Sequence, residues 1–207
     1  MILSTGVPQG SLISPIIYIY FTRNLPTKST HEIISSFYAD DTAYATSDTP
    51  HAKRQTFAGE KLQNILNELE NFCSKWRIGI NAAKTKLLLF QIQRKQNTTP
   101  ALWLRKEQLK YSEDAKFLGI TFDSKLTFEK HINDIVARCR KRLNLLKAIR
   151  GKSWGASPLT IMNTYKSFIR PVIEYSCVLF AQAEESLLRK IQSVETEAIK
   201  IAFDLAP

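Results

Sequence analysis

The stretch Phe37-Tyr38-Ala39-Asp40-Asp41 places two adjacent carboxylates directly after an apolar, strand-like run. Residues Ile33 to Tyr38 have the composition of a buried strand, and Thr42 to Thr46 that of a second strand. The pattern therefore predicts a β-hairpin with Ala39-Asp40-Asp41 at its connection. Successive side chains of a regular strand point to opposite faces, whereas a tight turn can bring neighbouring carboxylates towards one spot.

Two carboxylates at one turn predict a metal site. Mg²⁺ is a hard cation that prefers carboxylate oxygens, and it usually retains waters and substrate phosphates as well. The alternative interpretation is structural, because Asp is favoured in turns by its hydrogen bonds to nearby backbone. The dipeptide Asp40-Asp41 by itself favours this alternative.

A second cluster lies upstream, Gly6-Val7-Pro8-Gln9-Gly10-Ser11-Leu12-Ile13-Ser14-Pro15. It ends in a helix start, since Ser14 can cap the helix and Pro15 can occupy its first turn. Its glycines allow positive φ and a close approach of the backbone to a ligand, while Gln9 offers an amide donor and an acceptor. The alternative interpretation is an ordinary loop rich in glycine and proline.

Taken together, the two clusters resemble reverse transcriptases, specifically those of LINE-type retrotransposons that lack long terminal repeats, of the jockey-like kind. The resemblance continues in order along the chain. Asn81-Ala82-Ala83-Lys84-Thr85 matches the Asn-x-x-Lys element of the family, and Lys116-Phe117-Leu118-Gly119-Ile120 matches its Leu-Gly turn. Tyr165 to Tyr175 resembles the helical region that follows the polymerase core. Nearly the whole chain is covered, and the first two clusters are the specific ones.

The resemblance implies a role for each matched position. Asp40 would ligate the metal with Asp41 supporting charge and geometry beside it, and Tyr38 would lie near the primer terminus. Lys84 would stabilise or protonate the leaving pyrophosphate; a surface lysine after a helix is the alternative interpretation. The residues implied to line the templating base and the incoming nucleotide are Gly6, Pro8, Gln9, Gly10 and Ser11, and those implied to hold the primer end are Phe117, Leu118 and Gly119.

The implied reaction is RNA-directed DNA synthesis, in which paired metals activate the primer 3′-hydroxyl and neutralise the leaving group. The expected cofactor is Mg²⁺, with Mn²⁺ as a substitute, and the expected partners are an RNA template, a DNA primer and deoxynucleoside triphosphates. The family's further upstream Asp has no counterpart here, since the only acidic residue before Asp40 is Glu32. We therefore expect the 207 residues to be inactive alone. The alternative is a non-catalytic relic that binds nucleic acid.

Composition indicates an intracellular globular protein, nuclear or cytoplasmic and not secreted. Hydrophobic residues make up 44% of the chain, which argues against general disorder. Cys73, Cys139 and Cys177 are widely spaced, so they indicate neither a close pair of metal ligands nor a disulfide framework. The apolar run Pro15 to Phe21 is too short to span a bilayer and lacks a basic region before it, so no membrane partner is expected.

The periodicity predicts an α+β fold, with mixed helices and antiparallel sheet over residues 1–123 and a helical region over 124–207. The resemblance implies that the first part is the C-terminal part of a polymerase palm and that the second is a thumb-like region. The elements predicted in the first part are a helix from about Pro15, the hairpin, a helix from about Ala52 to Trp76, strands around Leu87 to Ile92 and Phe117 to Phe122, and an exposed loop from Gln93 to Pro100. The long helix carries an apolar stripe that should pack on the sheet: Leu62, Ile65, Leu66, Leu69, Phe72, Cys73 and Trp76.

The region after Asp123 shows helical periodicity almost throughout. One apolar stripe comprises Phe128, Ile132, Ile135, Val136, Cys139, Leu143 and Leu146, and another comprises Leu187, Leu188, Ile191, Val194, Ala198 and Ile201. Arg170-Pro171 should kink or break the helix between them, because proline removes a backbone donor and clashes with the preceding turn.

The net charge of +10 is unevenly distributed. Lys125 to Lys152 carries nine Lys or Arg against only Glu129 and Asp134. This helix is predicted to follow a template–primer backbone by phosphate contact and counterion release, with little reading of base sequence. The alternative is a solvated basic helix face. The cations assigned to this contact are Arg138, Arg140, Lys141, Arg142, Lys147 and Arg150.

Overall fold

The computed structural model describes residues 10–27, 33–47, 56–90, 100–151 and 154–205. It confirms the α+β class, with helices and small antiparallel sheets. The chain forms two compact units. The first unit comprises Met1–Leu87 and Gln93–Ser112, and the second comprises Leu88–Ile92 and Glu113–Pro207. Each unit has its own apolar core.

The first unit opens with helix α1 (Ser14–Thr22), which has a proline in its first turn as predicted. Ser14 is not the cap, because the helix begins one residue earlier than expected and its N-cap is Ile13, which has no side-chain capping bond. Strands β1 (Ile33–Tyr38) and β2 (Asp41–Thr46) then confirm the hairpin. Its loop is shorter than predicted, since Asp41 already pairs with Tyr38 and belongs to β2.

Helix α2 (Thr56–Lys75) follows, and residues 52–55 of the predicted helix lie outside the described residues. Four members of its stripe are buried, namely Ile65, Leu66, Phe72 and Cys73. Trp76 is 41% exposed and so is not a core residue. The reason is that α2 ends before it; its ring still contacts those of Phe21 and Phe72, with centroids 5.1 and 6.1 Å away.

The predicted strand at Leu87 to Ile92 is wrong for the residues that the structure describes. Leu87 alone makes a bridge, parallel, with Tyr111, and residues 88–90 have no regular structure. They lack a neighbouring strand to complete a ladder. The first unit instead ends with a short hairpin of β3 (Trp103–Leu104) and β4 (Glu107–Gln108). The buried core of the first unit consists of Leu66, Leu102, Leu104 and Leu109. Residues 93–99 of the predicted loop lie outside the described residues.

The second unit begins with a hairpin of β5 (Asp114–Phe117) and β6 (Ile120–Asp123). The single strand predicted over Phe117 to Phe122 is wrong, because Phe117 pairs with Ile120 and the chain reverses at Leu118-Gly119. The hairpin packs with the helices that follow, since the ring of Phe122 contacts that of Phe128 at 6.0 Å. The hairpin accordingly belongs to the same compact unit as the helices, and the boundary near Asp123 stays a prediction.

Helix α3 (Glu129–Arg150) continues the second unit, and all seven residues of the predicted stripe from Phe128 to Leu146 are buried. Helix α4 (Pro158–Thr164) runs into a π-helical segment (Tyr165–Ile169) and then α5 (Arg170–Glu174). At the kink or break predicted at Arg170-Pro171, the chain remains helical but changes from α to π over Tyr165–Ile169, and Arg170 N donates to the carbonyl of Tyr165.

A 3₁₀ segment (Cys177–Gln182) leads to the last helix, α6 (Glu185–Phe203). The predicted stripe of α6 is buried at Leu187, Val194, Ala198 and Ile201. Leu188 is 38% exposed, so its assignment to the stripe is wrong. It directly follows the buried Leu187, and each residue of an α-helix is rotated by about 100° from the one before, which turns the Leu188 side chain towards solvent.

Candidate functional site

The two adjacent carboxylates lie at the tip of the first hairpin. Asp40 is the second residue of a two-residue loop, and Asp41 opens β2 opposite Tyr38. All three side chains are exposed. Ala39, the first loop residue, has a φ of 51°. A residue with a Cβ pays about 1–2 kcal/mol for that left-handed conformation, so the surroundings must hold this turn in place.

Helix α1 supplies one such restraint. The hydroxyl of Tyr18 donates a hydrogen bond to the carbonyl oxygen of Ala39 at 2.8 Å. Burial, followed by the negative charge of Asp40, raises the pKa of the Tyr18 phenol. The hydroxyl therefore keeps the proton that it donates, and α1 is tied to the carboxylate turn.

Strand β2 is fixed from a second side. The hydroxyl of Tyr44 donates to the carbonyl of Pro26 at 3.1 Å. Burial, then the nearby Cys73 and Glu68, raises the pKa of Tyr44 to about 12, so this hydroxyl also stays protonated at neutral pH. The ring of Tyr44 meets that of Phe37 edge-on across the hairpin, with centroids 5.8 Å apart. The strand that carries Asp41 is thus held at Tyr44, both by a hydrogen bond and by a ring contact.

The loop before α1 is only partly described. Gly10 has a φ of 86°, which glycine adopts without strain. Ser11 is exposed, and its hydroxyl accepts from the backbone N–H of Ile13 at 3.4 Å. Gly6, Pro8 and Gln9 lie outside the described residues, so their assigned roles stay predictions.

The Asn-x-x-Lys element forms a 3₁₀ turn (Ala82–Lys84). The side-chain oxygen of Asn81 accepts from the backbone N–H of Lys84 at 3.1 Å, and the Asn81 carbonyl accepts from the Thr85 hydroxyl at 3.1 Å. This explains the spacing of the motif, because the asparagine builds the turn on which the exposed lysine stands.

The Leu-Gly turn belongs to the second unit, whereas the carboxylates belong to the first. Leu118 and Gly119 are the two loop residues between β5 and β6, and Phe117 closes the hairpin opposite Ile120. The hydroxyl of Tyr175 donates to the carbonyl of Leu118 at 2.8 Å.

The six cations assigned to α3 fall into two groups. Arg138, Arg140 and Lys141 are exposed and make no ion pair or hydrogen bond with the described residues. The other three are engaged within the second unit. Arg142 donates to the carbonyl of Phe168 and lies over its ring at 4.5 Å. Ion pairs join Lys147 to Glu197 at 2.7 Å and Arg150 to Asp204 at 2.6 Å.

The donor set at the hairpin tip suits Mg²⁺, which is commonly held by one or two carboxylates together with waters and substrate phosphates. Within the described residues, no cluster of three or more His, Cys, Asp or Glu side chains could hold a metal ion. The carboxylates available at this tip are those of Asp40 and Asp41. Across the same residues, no helix is long and apolar enough to cross a membrane.

Sequence reasoning missed three residues that hold these turns. Tyr18 and Tyr175 act through hydrogen bonds to distant carbonyls, and Asp123 accepts from three backbone N–H groups before α3. Tyr175 did lie in a stretch matched to the family, but without a role. An Asp directly after a strand and before a helix is a signal that could have identified Asp123.

Comparison with known proteins agrees with this arrangement of motifs. The family described as reverse transcriptase (RNA-dependent DNA polymerase) matches residues 2–122. The RNA-directed DNA polymerase from mobile element jockey of Drosophila melanogaster is 30% identical over 96% of this chain and 22% of its own length. Two probable RNA-directed DNA polymerases of the same organism are also similar. The one from transposon X-element is 26% identical over 96% of this chain and 22% of its own length. The one from transposon BS is 27% identical over 98% of this chain and 23% of its own length.

The chain thus spans about a fifth of the length of these relatives. No solved structure matches it. The family match covers more than half of the 207 residues and includes both specific motifs, the loop before α1 and the carboxylate hairpin. The chain therefore belongs to the reverse transcriptase family, beside the polymerases of jockey and other transposons that lack long terminal repeats.

Proposed function

We propose that the chain is the part of an RNA-directed DNA polymerase that carries the metal-binding hairpin, with Asp40 and Asp41 as ligands of Mg²⁺ or, as a substitute, Mn²⁺. The observation that carries this proposal is the hairpin tip itself. Two exposed carboxylates follow a strained Ala39, and Tyr18 holds that turn by a 2.8 Å hydrogen bond. A two-residue hairpin loop commonly requires a positive φ simply to reverse the chain, so the feature that supports metal binding is the pair of exposed carboxylates on this restrained turn.

The chain's own residues would supply charge and position. Asp40 and Asp41 bring two negative charges to one exposed tip, and the tyrosine bonds limit how far that tip can move. Metal bound there would activate the primer 3′-hydroxyl and neutralise the leaving pyrophosphate. Lys84, exposed on its fixed 3₁₀ turn, would add positive charge at the pyrophosphate or donate a proton to it.

The remaining assigned residues would bind the substrates: an RNA template, a DNA primer and deoxynucleoside triphosphates. Tyr38 is 66% exposed at the hairpin tip and would lie beside the primer terminus. The loop of Gly6, Pro8, Gln9, Gly10 and Ser11 would line the nucleotide, and the turn of Phe117, Leu118 and Gly119 would hold the primer end. Arg138, Arg140 and Lys141 of α3 are free to meet phosphates.

We further infer that these 207 residues do not extend a primer by themselves. Two divalent ions held about 4 Å apart carry four positive charges that repel strongly where solvent is excluded. Asp40 and Asp41 offset half of that charge, and no third acidic residue clusters with them among the described residues. The second candidate function, nucleic-acid binding without synthesis, is favoured by the three exposed α3 cations and would survive in the isolated chain.

Primer extension tests the metal-site assignment. A chimera in which this chain replaces the matched segment of the jockey polymerase is supplied with an RNA template, a DNA primer, Mg²⁺ and deoxynucleotides. Asp40→Asn keeps the shape of the side chain but removes its charge, so we expect synthesis to fall by about a thousandfold or more. Asp134→Asn, the same change at an exposed position on α3, is the matched control and should leave the rate unchanged.

Two outcomes contradict the proposal. An Asp40→Asn chimera that extends primers as fast as the parent chimera refutes the metal site. Robust extension by the isolated 207-residue chain refutes the inference that two carboxylates are too few.

A further inference from the structure

The Leu118-Gly119 turn between β5 and β6 is strained. Both loop residues are left-handed, with φ of 47° at Leu118 and 81° at Gly119. This is the pattern of a type I′ hairpin turn, whose first position is usually Asn, Asp or Gly. A bulky leucine at positive φ is a genuine outlier. Such outliers persist only where the surrounding structure holds them, and they cluster at functional sites.

The restraint comes from Tyr175, which lies 57 positions further along the chain. Its hydroxyl donates to the carbonyl oxygen of Leu118 at 2.8 Å, which fixes the peptide plane between the two loop residues. Its ring also lies against the glycine, since a Cβ built on Gly119 would be 3.5 Å from the ring carbon Cε1 of Tyr175. One side chain thus holds both residues of the turn.

Tyr175 is itself positioned by the broken helix. It follows α5, and its backbone N–H donates to the carbonyl of Pro171 at 3.1 Å. An ion pair of 2.6 Å between Arg170 and Glu174 braces the same turn of helix. The side chain of Tyr175 is 67% exposed, so burial in the core does not account for its position. The hydrogen bond from its hydroxyl to the Leu118 carbonyl accounts for that position.

We propose that Tyr175 is a positioning residue for the primer end. It holds the Leu118-Gly119 turn in the one geometry that fits the primer, so that the turn is already ordered when the primer arrives. It acts through the turn and does not itself meet the reacting atoms. The inference rests on the proposed polymerase function, in which this turn holds the primer end. Preordering of this kind lowers the cost of binding and leaves the chemical step unchanged.

The first arm of the test measures the restraint on the isolated 207-residue chain without nucleic acid. Tyr175→Phe removes the hydroxyl and keeps the ring. Tyr111→Phe is the matched control, because the hydroxyl of Tyr111 likewise donates to a backbone carbonyl, that of Pro100, at 2.9 Å. Hydrogen–deuterium exchange read by mass spectrometry over residues 114–123 should be about fivefold faster in Tyr175→Phe and unchanged in Tyr111→Phe.

The second arm measures steady-state primer extension by the jockey chimera carrying each variant. We expect Tyr175→Phe to raise KM for the primer–template about fivefold and to change kcat less than twofold. Tyr111→Phe should change neither. A residue with a merely structural role would lower the active fraction, and therefore the apparent kcat, without this selective rise in KM.

Each failure has a distinct meaning. Equal exchange over 114–123 in the parent chain and Tyr175→Phe overturns the restraint. Faster exchange with an unchanged KM overturns the role at the primer end. A parent chimera that makes no product from primer–template refutes the proposed function and the primer role together, whereas the exchange arm still decides whether Tyr175 holds the turn.

Discussion

The hydroxyl of Tyr18 donates a hydrogen bond to the carbonyl oxygen of Ala39, 21 positions later and 2.8 Å away. Ala39 has a φ of 51°, so this bond stabilises a turn that would otherwise relax. We predict that Tyr18→Phe destabilises the chain by about 1 kcal/mol, the typical net value of one hydrogen bond. The free energy of unfolding from a urea titration measures the loss.

The matched control for that variant is Tyr20→Phe. Tyr20 lies on the same helix and is 71% exposed, so removing its hydroxyl should change the free energy of unfolding by less than about 0.5 kcal/mol. Equal losses in the two variants would show that the Tyr18 bond does not restrain the turn.

A second prediction concerns Asp123, whose carboxylate holds the loop that enters α3. It accepts from the backbone N–H groups of Lys125 at 3.1 Å, Thr127 at 3.0 Å and Phe128 at 2.7 Å. Burial opposes the charged form, but these bonds outweigh burial and lower the pKa of Asp123. We expect Asp123→Asn to cost about 1.5–3 kcal/mol at pH 7, because hydrogen bonds to a charged acceptor are the strong ones.

The pH dependence gives that prediction its control. A carboxylate with a lowered pKa contributes stability above its unfolded pKa, near 3.8, and loses the contribution as pH falls through the folded pKa. The difference in free energy of unfolding between the parent chain and Asp123→Asn should therefore shrink below about pH 4. Urea titrations at pH 7, 5 and 3 follow it. A difference that is constant with pH would mean that the charge of Asp123 does not hold the loop.

Local pattern predicted those elements whose signal lies within a few residues. The bounds of the strand Ile33–Tyr38 were predicted to the residue, because an apolar run before a turn dipeptide is a strong local signal. The prediction that this strand is buried was wrong, since Ile33 is its one buried residue and Ile34 is 71% exposed. The whole buried stripe of α3 was also predicted, since one helical period fixes it. The run Phe117 to Phe122 was read as one strand because its apolar residues continue across the turn; the positive φ of Leu118 cannot be inferred from a leucine.

The supports of the candidate site could not be predicted in this way. Tyr18 and Tyr175 reach carbonyls 21 and 57 positions away, and no periodicity links such partners. The ion pair of Lys147 with Glu197 likewise depends on how two helices pack. The sequence therefore predicted that α3 carries a group of cations, but not which of them already bind other residues of the chain.

A third prediction concerns His131, which is 2% exposed. Its Nδ1 accepts from the backbone N–H of Thr121 at 3.4 Å, while Nε2 is buried without a partner among the described residues. Burial, then the positive charge of Arg138, lowers the pKa of His131; Lys116 acts in the same direction and Asp134 against it.

The sign of the pH effect follows from that shift. An unfolded histidine titrates near pH 6.5, and the folded His131 titrates below it, so between the two values the unfolded chain binds more protons. Stability is therefore lost as pH falls below about 6.5. In His131→Asn, the side-chain oxygen can still accept from Thr121 but cannot titrate. Urea titrations at pH 7.5 and 5.5 should show a smaller loss in this variant than in the parent chain. Equal losses would contradict the prediction.

The last prediction separates the free cations of α3 from the engaged ones. Each phosphate that a protein neutralises adds about 0.9 to the slope of log affinity against log salt concentration. Replacing Arg138, Arg140 and Lys141 together by Gln should therefore lower the slope for an RNA–DNA duplex by about 2.7. Fluorescence anisotropy of a labelled duplex between about 50 and 200 mM salt measures it.

The matched control replaces Arg142, Lys147 and Arg150 by Gln, which removes the same three charges. These side chains already bind Phe168, Glu197 and Asp204 within the second unit, so their loss should change the slope by less than half as much and should instead lower the free energy of unfolding. Equal changes in slope would show that net charge alone drives binding, because both triple variants carry the same net charge. If the affinity of the parent chain for the duplex does not change with salt concentration, α3 does not contact the phosphate backbone.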